Sequence, residues 1–325
     1  MMNGQSSSEV RGRYQPEHPV DLLSSWSIFR RGLGDPTIRL ERTEAWLALD
    51  TPLGDATLHV TLPDPGAGVC FVAYGPGARW AADQVPQLFG AGDDWSAFDD
   101  PAFFSGLPEL VQRSRSLHRA LVLPRTSRVF VPAAGAVLEQ RVTGIEANYA
   151  WRWLIRHAGR QAPGPCPASL RLFPTPREIL GLKRWDWQAA RVDASRATTL
   201  RHLAEAASRL EWWGPEELET SKPQARPPGT LEAALLAVPG IGPWTVAETL
   251  QRSHGSADHI SVGDFHLADF VGQVLTGHRV DDATMLSLLE PYRGHRQRVV
   301  RLLQLSGVRK QAFGPRYAPL DHRNR

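Results

Sequence analysis

Between Leu235 and Leu250 the chain reads LLAVPGIGPWTVAETL. Gly240 and Gly242 flank Ile241, and Pro239 and Pro243 bracket the three. Pro239 ends the apolar segment before it, because proline lacks an N–H and restricts its predecessor. Pro243 suits the first position of a following helix, where a missing N–H breaks no bond. The two glycines permit positive φ and leave no Cβ in the way of an approaching group. The expected result is helix, tight turn, helix, with unpaired backbone N–H groups pointing outward. Such a turn is an anion site made of peptide dipoles. Asp264 follows 22 residues after Gly242, in the segment ISVGDFHLADF. A carboxylate facing a cleft there stabilises a developing cation. Together the two features describe a site that grips an anion and acts on a neighbouring group.

Plainer readings stand beside this one. A purely structural helical hairpin needs the same turn, with glycines for packing alone. GIGPWT partly matches a dinucleotide-binding GxGxxG, with an acid about 20 residues on, as that fingerprint asks. The fingerprint follows a strand, however, and LEAALLAV is rich in Ala, Leu and Glu without the β-branched run of a buried parallel strand. Asp264 precedes an apolar helix carrying Phe265, Leu267, Ala268 and Val271, so it is also placed to cap that helix. The same helix end favours the ionised carboxylate. His254, His259 and His266 fall near Asp258 and Asp264 without a metal-binding spacing. The chain has neither a GxSxG elbow nor a GxxxxGK[ST] phosphate loop.

The surrounding pattern says which elements position these residues. ATLHVTL alternates, with Ala56, Leu58, Val60 and Leu62 on one face and Thr57, His59 and Thr61 on the other. EAWLALD precedes it and VCFVAYG follows, each across a turn, which predicts an antiparallel meander. AGDDWSAFDD (91–100) reads as an acidic loop. Leu107, Leu110, Val111, Ser114 and Leu117 then fit one helix face, and Leu138, Val142, Ile145, Tyr149 and Trp153 recur as a second stripe. QAPGPCPASLRLFPTP (161–176) is a proline-punctuated connection, and a polar loop is expected over 214–229. Helices are expected near 177–182, 186–191, 196–211, 230–238, 243–252, 264–275, 282–290 and 294–305. The fold class is α+β: an antiparallel β-sheet domain with helices over 20–124, then an all-α domain over 125–308. A flexible tail is expected over 1–19 and a basic tail over 309–325.

Composition bounds the rest. Among 325 residues, 42% are apolar and 11 are Trp, which fits a folded chain with more than one core. The start of the chain carries no apolar signal segment, and no run of about 18 apolar residues occurs, so no membrane span and a cytoplasmic location are expected. Net charge is +3, but pI is about 9.1 and arginines thicken toward the end of the chain. Arginine suits bidentate contact with phosphate. Cys70 and Cys166 are the two cysteines, too few for a four-cysteine iron–sulfur cluster or a structural zinc.

VPGIGPWTVAE, paired with a Gly–Asp–aromatic segment 22 residues later, resembles the helix–hairpin–helix superfamily of base-excision DNA glycosylases. The resemblance is strongest to the alkylbase branch, the 3-methyladenine DNA glycosylase II type. VLEQRVTGIEANYAWRWL resembles that branch's Gly-Gln-Gln-Val-Ser helix, and LEPYRGHRQRVVRLL its closing helix. The match spans about residues 125–308.

The resemblance implies a monomeric protein bound to double-stranded DNA with a damaged base. The base is flipped out, and Asp264 stabilises the oxocarbenium-like sugar as the glycosidic bond breaks. It assigns DNA contact to Gly240, Ile241, Gly242, Trp244, Thr245, Gln140 and Arg141, the last two in the duplex wedge. The base pocket falls to Trp244, Glu248, Phe265 and Arg301. Glu248 stands where a well-known relative has Tyr, and Arg301 where it has Trp. Strand-cutting branches carry a Lys nucleophile where this chain has Trp244, so a monofunctional enzyme is implied. No cofactor is required. The carbonyls of Leu236, Val238 and Ile241 fall where the family holds a monovalent cation. A helix–hairpin–helix protein that binds DNA without chemistry is the rival from another class, and a dinucleotide-dependent enzyme a third.

Overall fold

The computed structural model describes residues 8–63, 68–211 and 230–308. Residues 1–7, the loop expected over 214–229 and the tail over 309–325 lie outside the described residues.

The first body is built on a sheet. Its elements are β1 (Glu9–Tyr14), α1 (Leu22–Trp26), β2 (Ile38–Leu40), β3 (Glu44–Thr51), β4 (Gly54–Thr61) and β5 (Val69–Tyr74). The five strands run in the order β1-β5-β4-β3-β2, antiparallel throughout. The expected meander is β3, β4 and β5. Ala45, Leu47 and Leu49 of β3 and Ala56, Leu58 and Val60 of β4 point into one core, under α2 (Ala78–Asp83) and α3 (Val85–Leu88). The other sheet face carries Trp46 and His59, stacked at 3.7 Å.

The flexible tail expected over 1–19 is corrected in its described part. Glu9–Tyr14 pairs along all of β5, from Glu9 opposite Tyr74 to Tyr14 opposite Val69. Without it the outer edge of β5 would leave a row of backbone groups unpaired. Val10 and Tyr14 supply the apolar contact on the core side.

The helical remainder begins with α4 (Ser96–Asp99), α5 (Pro101–Ser105) and α6 (Glu109–Leu117), so the loop expected over 91–100 is partly helix. It continues with α7 (Phe130–Glu139), α8 (Gly144–Ala158), the strands β6 (Arg160–Gln161) and β7 (Arg171–Leu172), α9 (Pro176–Gly181), α10 (Arg184–Ala189) and α11 (Ala194–Leu210). After the gap come α12 (Leu231–Leu236), α13 (Pro243–Ser253), α14 (Leu267–Thr276), α15 (Asp282–Leu289) and α16 (Arg296–Leu305). The β6–β7 ribbon corrects the all-α expectation. It brings Leu170 and Leu172 onto Trp46 and Ala48, covering the outer face of the sheet.

These helices hold two cores rather than one. One runs from Val129 to Leu250 through α7, α8, α11, α12 and α13. The other joins Trp95, Phe98, Leu107, Val111, Leu121 and Leu123 to residues of α14, α15 and α16. The expected boundary at 124 is therefore corrected: α4–α6 belong with the end of the chain, not with the sheet. The sheet's apolar face is already filled by α2 and α3, so this apolar segment finds its partners in α16. Ser114 Oγ donates to Leu302 O at 2.7 Å.

The second expected stripe is also corrected. Gln140–Thr143 breaks it, and Ile145 is 69% exposed. In α8 the buried face is Ala147, Ala150, Trp151, Leu154 and Ile155, one step round from Ile145 and Tyr149. Leu117 is likewise exposed at the end of α6.

Asp93 pins the doubled-back segment. Its buried carboxylate accepts from Arg298 Nη2, from Trp95 Nε1 at 2.7 Å and from Leu123 N at 2.6 Å. Removing one partner of a buried pair strands the other's charge. Asp93→Ala is expected to lower stability by about 3–5 kcal/mol in urea unfolding, whereas a loss under about 1 kcal/mol would show that the pair pins nothing.

Candidate active site

The turn forms as the sequence implied. Thr230 caps α12, its Oγ1 accepting from Ala233 N at 3.2 Å. Ile241 N donates to Val238 O at 3.0 Å and closes the bend. The segment before the glycines is a helix, so the strand a dinucleotide fingerprint requires is not there. The two glycines do different work. Gly240 has φ +90, and a Cβ there would lie 2.1 Å from Thr199 Oγ1, so it is set by close packing on α11. Gly242 is corrected: its φ is −114, ordinary extended backbone, and a Cβ would meet nothing within 4 Å. No internal contact requires a glycine at 242. The first intrahelical bond of α13 runs from Val246 N to Gly242 O, at 3.0 Å. The N–H groups of Gly242, Trp244 and Thr245 precede it and point out of the helix end.

Gln140 clamps this turn from α7. Its Nε2 donates to Gly240 O at 3.0 Å and to Thr245 Oγ1 at 2.9 Å. The side chains of Gln140 and Thr245 are hydrogen-bonded to each other, and Thr245 is buried. Ile241 is also core, so this part of the turn offers backbone rather than side chains. Arg141 is different. It is exposed at the tip between α7 and α8, with φ +54. Val238 O already takes one N–H, while Leu236 O and Ile241 O accept no backbone N–H among the described residues.

Asp264 lies across from the turn, half-buried, ahead of α14. Its Oδ1 accepts from His266 N at 2.8 Å and Leu267 N at 2.9 Å, which is the helix-capping role. Its Oδ2 accepts from the Trp244 indole at 3.2 Å. One carboxylate thus caps the helix and meets the indole of α13. Phe265 is 82% exposed and packs edge-on to His266.

Trp244, Glu248 and Arg252 are successive i,i+4 positions on α13, and each is half-buried. Together they form one half-buried face of α13. Trp244 reaches Asp264, Glu248 accepts from Ser261 Oγ and pairs with Arg252 at 2.6 Å, and Arg252 Nε donates to Ile28 O at 3.0 Å. Arg301 of α16 donates through Nη2 to Ser24 O at 2.7 Å and Ser27 Oγ at 2.5 Å. Three bodies therefore meet here: the hairpin helices, the C-terminal helices, and α1 with the segment after it.

The charges respond. Burial pushes Glu248 up, but Arg252 and the Ser261 hydroxyl outweigh it and hold the carboxyl below its ordinary range. Burial, with Arg252 nearby, pushes Arg301 down to about 10. Arg252, Ser261 and Ser27 were not anticipated. The Glu248–Arg252 spacing could have shown the pair; nothing local signals the other two. Among the described residues, no group of His, Cys, Asp and Glu is placed to hold a metal ion.

No protein-family model matches the sequence, and no curated protein matches it. Solved structures do. A 3-methyladenine DNA glycosylase from Archaeoglobus fulgidus is 14% identical with a TM-score of 0.69, over 91% of this chain and 98% of that one. An 8-oxoguanine glycosylase/lyase from Clostridium acetobutylicum in its apo form is 13% identical with a TM-score of 0.61, over 88% and 93%. The same enzyme in complex with double-stranded DNA is 12% identical with a TM-score of 0.60, over 90% and 96%. At these identities what is shared is the fold.

The two glycines should separate by mutation. Gly240→Ala is expected to cost about 3 kcal/mol in thermal or urea unfolding, from strain at positive φ and collision with Thr199. Gly242→Ala should stay within about 0.5 kcal/mol of the parent. Equal losses would contradict the division of roles.

Proposed function

We propose that this protein, whose fold is that of helix–hairpin–helix DNA glycosylases, is a monofunctional glycosylase of base excision repair. The observation that carries the reading is the Asp264 carboxylate, half-exposed and held between the Trp244 indole and the start of α14, opposite the bare amides of the turn. The amides of Gly242, Trp244 and Thr245 take a phosphate of the damaged strand. Leu236, Val238 and Ile241 would hold a monovalent cation, which would add positive charge beside that phosphate. Arg141 is the exposed side chain at the α7–α8 tip that enters the duplex where the nucleotide leaves.

The flipped nucleotide enters the recess that this reading places between Asp264, the Trp244–Glu248–Arg252 face of α13 and Arg301. The glycosidic bond breaks and its electron pair leaves with the base. The sugar is left cationic at its anomeric carbon, beside the Asp264 carboxylate. Water adds to that carbon and loses its proton, leaving an abasic site and a free base. An alkylated base is the substrate the sequence resemblance suggests. Support for the absence of strand cutting comes from the sequence of the hairpin: Lys183, Lys222 and Lys310 are the chain's three lysines, and none falls within the hairpin segment 231–253. A Schiff-base route needs such an amine.

Asp264→Asn keeps the capping oxygen and removes the charge. It is expected to slow base release from damaged duplex DNA at least about a hundredfold while changing duplex affinity little. Release at the parent rate would sink the catalytic assignment; no release by either protein would favour a DNA-binding module without chemistry. Gly242→Val should weaken duplex binding about tenfold or more without unfolding the protein, read by titration at fixed salt.

A further inference from the structure

The recess has a directional polarity that bears on which base it accepts. Asp264 and Glu248 balance Arg252 and Arg301 in charge, so recognition falls on which groups still have hydrogen bonds to give or take. The acceptors are largely used. Both Glu248 oxygens are occupied, one by Arg252 and one by Ser261 Oγ. Both Asp264 oxygens are occupied, by backbone N–H groups and the indole. Ser24 O and Ser27 Oγ accept from Arg301. The donors are not used up. Arg301 commits Nη2 to its two acceptors, while Nη1 and Nε have no acceptor among the described residues. Nor are they among the side-chain atoms sealed from solvent without a partner. Arg252 commits Nε to Ile28 O and Nη1 to Glu248 O and Glu248 Oε2, which leaves Nη2 as a donor. Both guanidiniums thus keep free donors, and Arg301 keeps two such nitrogens, Nη1 and Nε, on a planar fork anchored by Ser24 and Ser27.

We propose that Arg301 is a specificity-determining residue that selects bases whose inner edge presents a carbonyl oxygen, of guanine, hypoxanthine or uracil type, over bases that present an amino group there, of adenine or cytosine type. The inference rests on the proposed base excision and deepens it. A carbonyl accepts from Nη1 or Nε, whereas an amino group meets donors with donors and leaves both unpaired in an enclosed site. The same contact aids departure of a neutral base. The electron pair of the broken bond delocalises toward the carbonyl oxygen, where the guanidinium donates.

The test uses the full chain on two substrates: DNA methylated to carry both 3-methylguanine and 3-methyladenine, and a duplex with a single hypoxanthine. The two methylpurines carry the methyl at the same ring position and the same positive charge, so they differ at the edge in question. Released bases are separated and quantified under single-turnover conditions. The expected result is release of hypoxanthine and 3-methylguanine, with Arg301→Gln slowing both about tenfold or more while 3-methyladenine changes by less than about threefold. Arg301→Lys, which keeps charge but loses the fixed fork, should restore part of the carbonyl preference. An equal fall on all three bases would mark Arg301 as merely structural and overturn the proposal. So would a parent protein that releases 3-methyladenine and neither carbonyl base, although base excision itself would then stand. Release of no base at all would overturn both readings.

Discussion

The hydrogen bond from the Trp244 indole to Asp264 spans the seam between two helical bodies with separate cores. The turn belongs to one body and the carboxylate to the other, so neither is a site without the contact that sets their spacing. Trp244 sits in the first turn of α13, immediately after the glycines, and Asp264 immediately ahead of α14. Both are therefore fixed by helix ends, where backbone geometry is best defined. A carboxylate that accepts two backbone N–H groups and an indole N–H has little freedom to swing, which is what pre-organised electrostatic stabilisation demands.

Around that bond lies a set of charges that hydrophobic packing alone would not retain. Arg31 donates to Glu139 at 2.6 Å and to Pro132 O at 3.1 Å, and Glu248 pairs with Arg252. Removing such charges from water is expensive, and their pairing offsets the cost only when each spare donor and acceptor is also satisfied. Here most are, by backbone carbonyls and serines from the segment after α1. The sheet body thus meets these charges from a third side. Asp35 adds a separate tie: buried and pushed upward by its burial, it accepts from the Trp151 indole at 2.9 Å and from Arg31 N and Thr37 N.

Glycine pairs in a turn are easily treated as one motif, and here they are two. Gly240 serves the interior, where Thr199 leaves no space for a Cβ, while Gly242 serves the surface. Gln140 adds what the turn lacks, a side-chain donor that fixes one of its carbonyls. The rim residues then divide by exposure. Arg141 and Phe265 stand free, whereas Thr245 and Ile241 are interior.

Local pattern determined much of this protein. The helix–turn–helix around Gly240, the placement of Asp264 at a helix start, the β3–β4–β5 meander and the helices from α9 onward all follow from short-range signals: caps, prolines, glycines and periodicity. Tertiary structure decided what depends on competition for partners. An edge strand formed from a polar tail because β5 had an open edge. Helices α4–α6 left the sheet because its apolar face was already filled. In α8 the tertiary core selected Ala150, Trp151 and Leu154 over an equally periodic stripe through Ile145. The recess is the extreme case. Glu248 and Arg252 are four residues apart and legible as a pair, but Arg301 meets Ser24 and Ser27 from the other end of the chain. Periodicity carries information over a few turns of helix, and contacts across hundreds of residues arise only when packed bodies bring them together.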